Sequence, residues 1–301
     1  MKPEDIRQHL DPAQRSELAR LSRVRGVAVP TLMLAVAVVL GTVTVDALAL
    51  TGLLPLWGGA LLNSLFGYFA FSVAHDAIHR AVSDRPAIND AIGQIAVLTI
   101  APYVHLGLFR WGHVQHHRFA VGPDDPDRVF RGPWWQLPFR WAFIDVAYLL
   151  YVTRYGDHRA RRFLKHSLWM AGTFAVVVAL LVAAGHGMAV LMLWFVPSRL
   201  IQIMLGFSFF WLPHAPHDVA QADHFTRAST IREGHEWLMD TLLQYQNYHL
   251  LHHLFPTMPF YNNGRAWRLL EPVLRRHELA IQEGFAIRPR IVRPAQGSLG
   301  G

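Results

Sequence analysis

The chain has 301 residues, 52% of them hydrophobic and only 16% charged, and its mean hydropathy is positive. That balance is too apolar for a soluble enzyme of this size and indicates an integral membrane protein. With no cysteine in the sequence, structural disulfides, thiolate ligands and an iron–sulfur or rubredoxin centre within the chain are excluded.

In chain order, residues 1–25 place Lys2, Glu4 and Asp5 ahead of a long polar run, which predicts a basic surface helix and not a signal peptide. Two uncharged stretches follow, 27–45 and 47–74, the second interrupted by Pro55 and a few glycines. Each is long enough to cross a hydrocarbon core of about 30 Å. His75 and His79 come directly after them. The apolar segment 91–109 contains Gln94, Pro102, Tyr103 and His105, and is read as re-entrant or interfacial instead of as a crossing. His113, His116 and His117 follow, then the breaker run Gly122-Pro123-Asp124-Asp125-Pro126-Asp127 and a short interfacial helix over 144–152.

A second pair of spans is predicted over 167–184 and 188–212, with Gly185-His186-Gly187 as the tight turn between them. Arg199 lies inside the last span. It either marks a functional site, or Pro197 marks the outer turn and the guanidinium snorkels to the interface. His214 and His217 come next, and His249, His252 and His253 lie near the end of a helix whose apolar face includes Trp237, Leu238, Leu242, Tyr245 and Leu250. With no internal repeat or flexible linker, residues 26–285 read as one domain, and 286–301 as a disordered tail.

The histidines carry the chemistry. Spacings of i,i+4 or i,i+3,i+4 put each group on one helix face, and the pattern HxxHH occurs twice, as HVQHH and HLLHH. Eight or nine imidazoles exceed the four to six ligands that fill one first-row metal, so two metals are the simpler count. Between Gly26 and His79 there is no Lys or Arg, whereas residues 1–25 hold six and residues 110–165 hold ten. This predicts cytoplasmic termini and, with even numbers of crossings, all histidine groups on that same face. It also accounts for most of the +7 net charge, with docking of an acidic electron carrier as a second reading. The expected fold is therefore all-α integral membrane, about four transmembrane helices in two hairpins with a cytoplasmic helical cap holding a histidine-rich di-metal site.

There is no HExxH zinc-protease motif, no Ser-His-Asp pattern, no phosphate-binding glycine loop and no nucleic-acid module. A membrane metal transporter or sensor is the competing class, and it would place its ligands within the spans.

With HDAIH, HVQHH and NYHLLHHLFPTMPFY in this order around paired apolar spans, residues 27–285 resemble the membrane fatty acid desaturase and hydroxylase superfamily of histidine-box di-iron enzymes. WLPHAPHD, QNYHLLHH and GPDDPD are most similar to the carotenoid ring hydroxylases of that superfamily. The resemblance implies that His75, His79, His113, His116, His117, His249, His252 and His253 bind two iron ions, with His214 or His217 as a further ligand. Asp76, Asp218 and Asp240 are candidates to orient ligand rings. It implies O2-dependent hydroxylation or desaturation of an unactivated C–H bond in a membrane lipid or hydrocarbon, such as a carotenoid ring or fatty acyl chain, with terminal-alkene-forming decarboxylation as an alternative. Tyr68, Phe71 and Ser72, one or two turns before His75, are candidates to line the substrate's path, with ordinary helix packing as the other reading. A separate ferredoxin, rubredoxin or cytochrome with its reductase would supply electrons, in a bacterial inner membrane.

Overall fold

The structure, a computed structural model, describes residues 3–294. Its contacts separate into two compact units where the sequence suggests one domain: residues 26–114 with 129–206, and residues 3–25 with 115–128 and 207–294.

The first unit is built from apolar helices. Helices α3 (Val29–Leu50) and α4 (Leu56–Ile78) pack along one another as a hairpin. The chain breaks at 51–55, so Asp46 stays inside α3, where its Oδ1 accepts from Asn63 Nδ2 at 2.8 Å. After α5 (Pro86–Ile100) the chain breaks at 101–105 and resumes as α6 (Leu106–Phe119). A helix of 15 residues such as α5 is about 22 Å long, shorter than a hydrocarbon core of about 30 Å. Two short helices follow, α7 (Leu137–Ala142) and α8 (Ile144–Tyr155).

The long apolar stretch His158–His214 holds α9 (His158–Leu181), α10 (Gly187–Val190) and α11 (Val196–Leu205), joined by π-helical turns. Gly185, at φ +88°, divides it. Phe174 and Trp194 lie on opposite sides of that glycine, yet their rings are 4.6 Å apart, so the two arms fold back on each other at the turn expected there. Val29–Leu50, Leu56–Ile78 and His158–His214 are all long and apolar enough to cross a bilayer, which makes this an all-α membrane fold. The second hairpin sits tightly on α4: a Cβ at Gly67 would lie 2.1 Å from Ile201 Cδ1 and one at Gly59 2.6 Å from Leu193 Cδ2, the close approach that small residues allow between membrane helices.

Arg199 does not snorkel. Its Nη2 meets Asp145 Oδ2 at 2.8 Å, Nη1 donates to the Ala142 carbonyl at 2.7 Å, and the rings of Phe143 and Phe195 cover the guanidinium. Tyr103 donates its hydroxyl to the same carboxylate. A partner on α8, far away in sequence, removes the need to reach water.

The second unit departs further from expectation. The N-terminal segment is two helices, α1 (Pro3–Gln8) and α2 (Pro12–Leu21), because Asp11 and Pro12 start a new helix with a reciprocal capping box to Gln14. Ile6, Leu10, Leu18 and Leu21 are buried in a common core with residues such as Ile231, Leu251, Leu254, Leu270 and Ile281, so this is more than a surface helix. The unit also holds helices α12 (Glu236–Leu242), α13 (His249–Leu254) and α14 (Asn263–Leu274), and a small sheet against which α13 packs. In it β1 (Thr230–Glu233) runs parallel to β2 (Leu279–Glu283), and β3 (Arg290–Val292) antiparallel to β2. The disorder expected from residue 286 is thus corrected at 290–292, whose backbone is satisfied by Leu279, Ala280 and Ile281. Residues 295–301 lie outside the described residues.

Candidate metal centre

Helix α6 carries His113, His116 and His117 on its last turns. In the first unit, His113 meets the histidines that end α4. The His75, His79 and His113 rings form a near-equilateral triangle, with centroids 5.0, 4.8 and 4.9 Å apart, and His75 Nε2 lies 3.0 Å from His113 Nε2.

The second unit gathers four more. His116 from α6, His214 from the end of the second hairpin, and His249 and His253 one turn apart on α13 point their Nε2 atoms at one spot. Successive Nε2 pairs, 116 to 214, 214 to 249 and 249 to 253, are 3.1, 3.0 and 3.1 Å apart. All four side chains are buried. His117 and His252 lie beside them, Nε2 to Nε2 at 2.9 Å, with the His117 ring stacked on that of His253.

The outward nitrogens explain the convergence. His116 Nδ1 is 3.0 Å from both Asp125 Oδ1 and Asp127 Oδ2. His214 Nδ1 is 2.7 Å from the Ala228 carbonyl, His249 Nδ1 2.6 Å from Gln246 Oε1, and His253 Nδ1 2.9 Å from Gln221 Oε1. All these neighbours are acceptors, so each Nδ1 carries the ring proton and each Nε2 is left with a bare lone pair. Four lone pairs facing one point repel one another, and a cation is what turns them into ligands. Burial and the neighbouring imidazoles also push the titration of His253 well below the ordinary histidine range, which keeps the ring neutral and able to ligate.

Of the two candidates after the last span, the structure gathers His214 and leaves His217 out, beside the Trp211 ring at 5.5 Å and with a left-handed backbone (φ +67°). Asp76 accepts from Thr31 Oγ1 at 2.9 Å and ties α4 to α3. Asp240 holds Asn247 and Tyr248 instead of an imidazole, and Asp218 is exposed. The sequence reading therefore missed the residues that aim the rings: Asp125, Asp127, Gln221 and Gln246. Only the aspartates had a signal, in the GPDDPD run. Tyr68, Phe71 and Ser72 are all buried on α4, and Phe71 stacks on His75 with ring centroids 5.8 Å apart.

An all-α membrane fold with buried histidines gathered at the ends of its helices defines a class, the integral membrane proteins with a histidine-rich candidate metal site. The sequence model of the fatty acid desaturase family matches residues 51–285. Two β-carotene ketolases are similar to this chain: one from Paracoccus sp. strain N81106 / MBIC 01143, 32% identical over 208 residues, and one from Paracoccus sp. strain PC1, 32% identical over 201. Each alignment covers 66% of this chain and 71% of the ketolase. The chain belongs to the fatty acid desaturase family.

Proposed function

We propose that this protein oxidises an unactivated C–H bond of a carotenoid ring, using O2 and two irons held by its histidines. The observation that carries this reading is the set of four Nε2 lone pairs aimed at one point by four outward Nδ1–H bonds. Imidazole-only, buried sites suit a first-row metal such as iron. Residues His75, His79 and His113 would hold one iron and His116, His214, His249 and His253 the other, with His117 and His252 as further ligands beside the second set. When bound, the pair of irons supplies the reductive activation of O2.

The protein's own part is positional. Asp125, Asp127, Gln221, Gln246 and the Ala228 carbonyl fix ring tautomer and direction. Burial excludes water, and Phe71 beside His75 offers an apolar wall to a hydrocarbon. The balance for one turnover is R–H + O2 + 2e⁻ + 2H⁺ → R–OH + H2O. A second hydroxylation at the same carbon followed by loss of water gives a ketone, the chemistry named for the two Paracoccus relatives. Electrons come from a separate ferredoxin, rubredoxin or cytochrome with its reductase, because no cysteine is available to ligate an iron–sulfur cluster in the chain. The arginine asymmetry supports a bacterial inner-membrane location with termini and metals facing the cytoplasm.

Expression in a β-carotene-accumulating bacterium and in a plain host, followed by mass spectrometry of extracted pigments and lipids, tests the assignment. The expected product is carotenoid with one oxygen added, either as hydroxyl or with loss of two hydrogens as ketone. A two-hydrogen loss confined to acyl chains would overturn the carotenoid assignment and make the chain an acyl desaturase. Purified active protein holding zinc, or less than one iron, would overturn the metal assignment.

A further inference from the structure

Helix α4 ends at Ile78, and the left-handed Arg80 (φ +62°) turns the chain away. Backbone N–H groups of the turn cap the His75, Asp76 and Ala77 carbonyls. One cation adds donors to the last two carbonyls, those of Ala77 and Ile78. Arg110 Nε donates to the Ile78 carbonyl at 2.9 Å, and its Nη2 donates to the Ala77 carbonyl at 2.9 Å and to Asp90 Oδ1 at 2.5 Å. Asp90 also binds Arg80 Nη1 at 2.8 Å, and Asn89 Nδ2 adds a second donor to Ala77 at 2.8 Å. A positive charge at a helix C-terminus is favourable in its own right.

The placement matters because Arg110 and His113 are three residues apart on α6 and share a face. The guanidinium grips the turn of α4 that leads into His79. One turn further along α6, His113 Nε2 meets His75 Nε2 at 3.0 Å. Two contacts along one helix fix both its slide and its rotation against α4. We propose that Arg110 is a positioning residue that registers the first histidine pair against His113. It rests on the reading of these three histidines as ligands of one of two metals. A lysine ammonium carries its donors on a single nitrogen and cannot span two carbonyls and a carboxylate as the planar fork does.

The test uses the full-length chain in detergent, loaded anaerobically with ferrous iron. Iron per chain and the Mössbauer spectrum are measured for the unmodified protein and for Arg110→Lys, Arg110→Met and Asp90→Asn. The lysine and methionine variants are expected to bind one of the two irons at least about tenfold more weakly, the scale of a lost ligand-orienting contact. The signal of the other iron, on His116, His214, His249 and His253, stays unchanged. Asp90→Asn, which leaves both carbonyl contacts in place, retains both irons. Arg110→Lys keeping two irons with unaltered spectra would overturn the proposal, and so would its losing both together or failing to fold, which would mark Arg110 as a general structural residue. Failure of the metal reading itself would show separately, as an unmodified chain that takes up no iron.

Discussion

Gln246 is the sharpest place to test whether outward acceptors aim the ligand rings. Its Oε1 lies 2.6 Å from His249 Nδ1, and both residues are buried. Gln246→Leu keeps most of the side-chain volume and removes the acceptor. The stranded Nδ1–H then costs about 1–3 kcal/mol at a buried position, and the ring becomes free to move its proton to Nε2, where it can no longer ligate. Loss of such an orienting partner weakens metal binding by about 10–100-fold, equal to about 1.4–2.7 kcal/mol. Gln246→Glu does the opposite: a carboxylate in the same place makes a charge-assisted bond and raises the basicity of Nε2. After loading with ferrous iron, release to a strong chelator should be fastest in the leucine variant, intermediate in the unmodified protein and slowest in the glutamate variant. Equal release rates from the leucine variant and the unmodified protein would refute the argument that Gln246 aims His249.

His214→Ala should abolish product and the iron held with His116, His249 and His253, whereas His217→Ala should leave both near normal; the reverse pattern, read by iron content and pigment extraction, would exchange their roles. Arg199→Met leaves the partly buried Asp145 carboxylate without its cation and should destabilise the protein by about 3–5 kcal/mol, with part of the loss recovered in Arg199→Met/Asp145→Asn; an unchanged melting temperature in the single variant would refute the pairing. Gly67→Val forces a side chain into Ile201 and should cost about 1–3 kcal/mol by overpacking, relieved by Ile201→Ala, which thermal unfolding of the pair against each single variant would check. Loading iron to about a hundred times its dissociation constant should stabilise the fold by about 2.7 kcal/mol, visible as a higher melting temperature than that of chelator-treated protein.

Much of the fold could be read in the sequence because membrane burial is an averaged property. A run of some twenty uncharged residues announces a span whatever its detailed order, and Gly185-His186-Gly187 announces the turn that Phe174 and Trp194 close. Arg199 could not be settled in that way. An arginine in a span is satisfied either by water at the interface or by a buried partner, and Asp145, 54 positions away, declares itself only once the fold brings the start of α8 to Arg199. The small sheet was missed for a related reason. Thr230–Glu233 and Leu279–Glu283 are short and lie far apart, and β1 reads as an ordinary loop until β2 supplies its hydrogen bonds.

The metal centre shows the same division within a single site. Its inward half had to be visible: imidazoles on one helix face recur at three and four residues, so HVQHH and HLLHH carry a period. The outward half has none, because Nδ1–H donates to any oxygen that the fold brings near. For His116 that oxygen belongs to two aspartates nine and eleven residues on, for His249 to a glutamine one turn back, for His253 to a glutamine 32 positions away, and for His214 to the backbone of Ala228. A backbone carbonyl leaves no mark in the sequence at all. Gln221, whose Oε1 meets His253 Nδ1, also donates its Nε2 to the His117 carbonyl at 2.8 Å. The His253 ring and the His117 backbone are thereby joined through one neutral side chain, so substitution of Gln221 should disturb His117 and His253 together in a way that no alignment of charges along the chain would suggest.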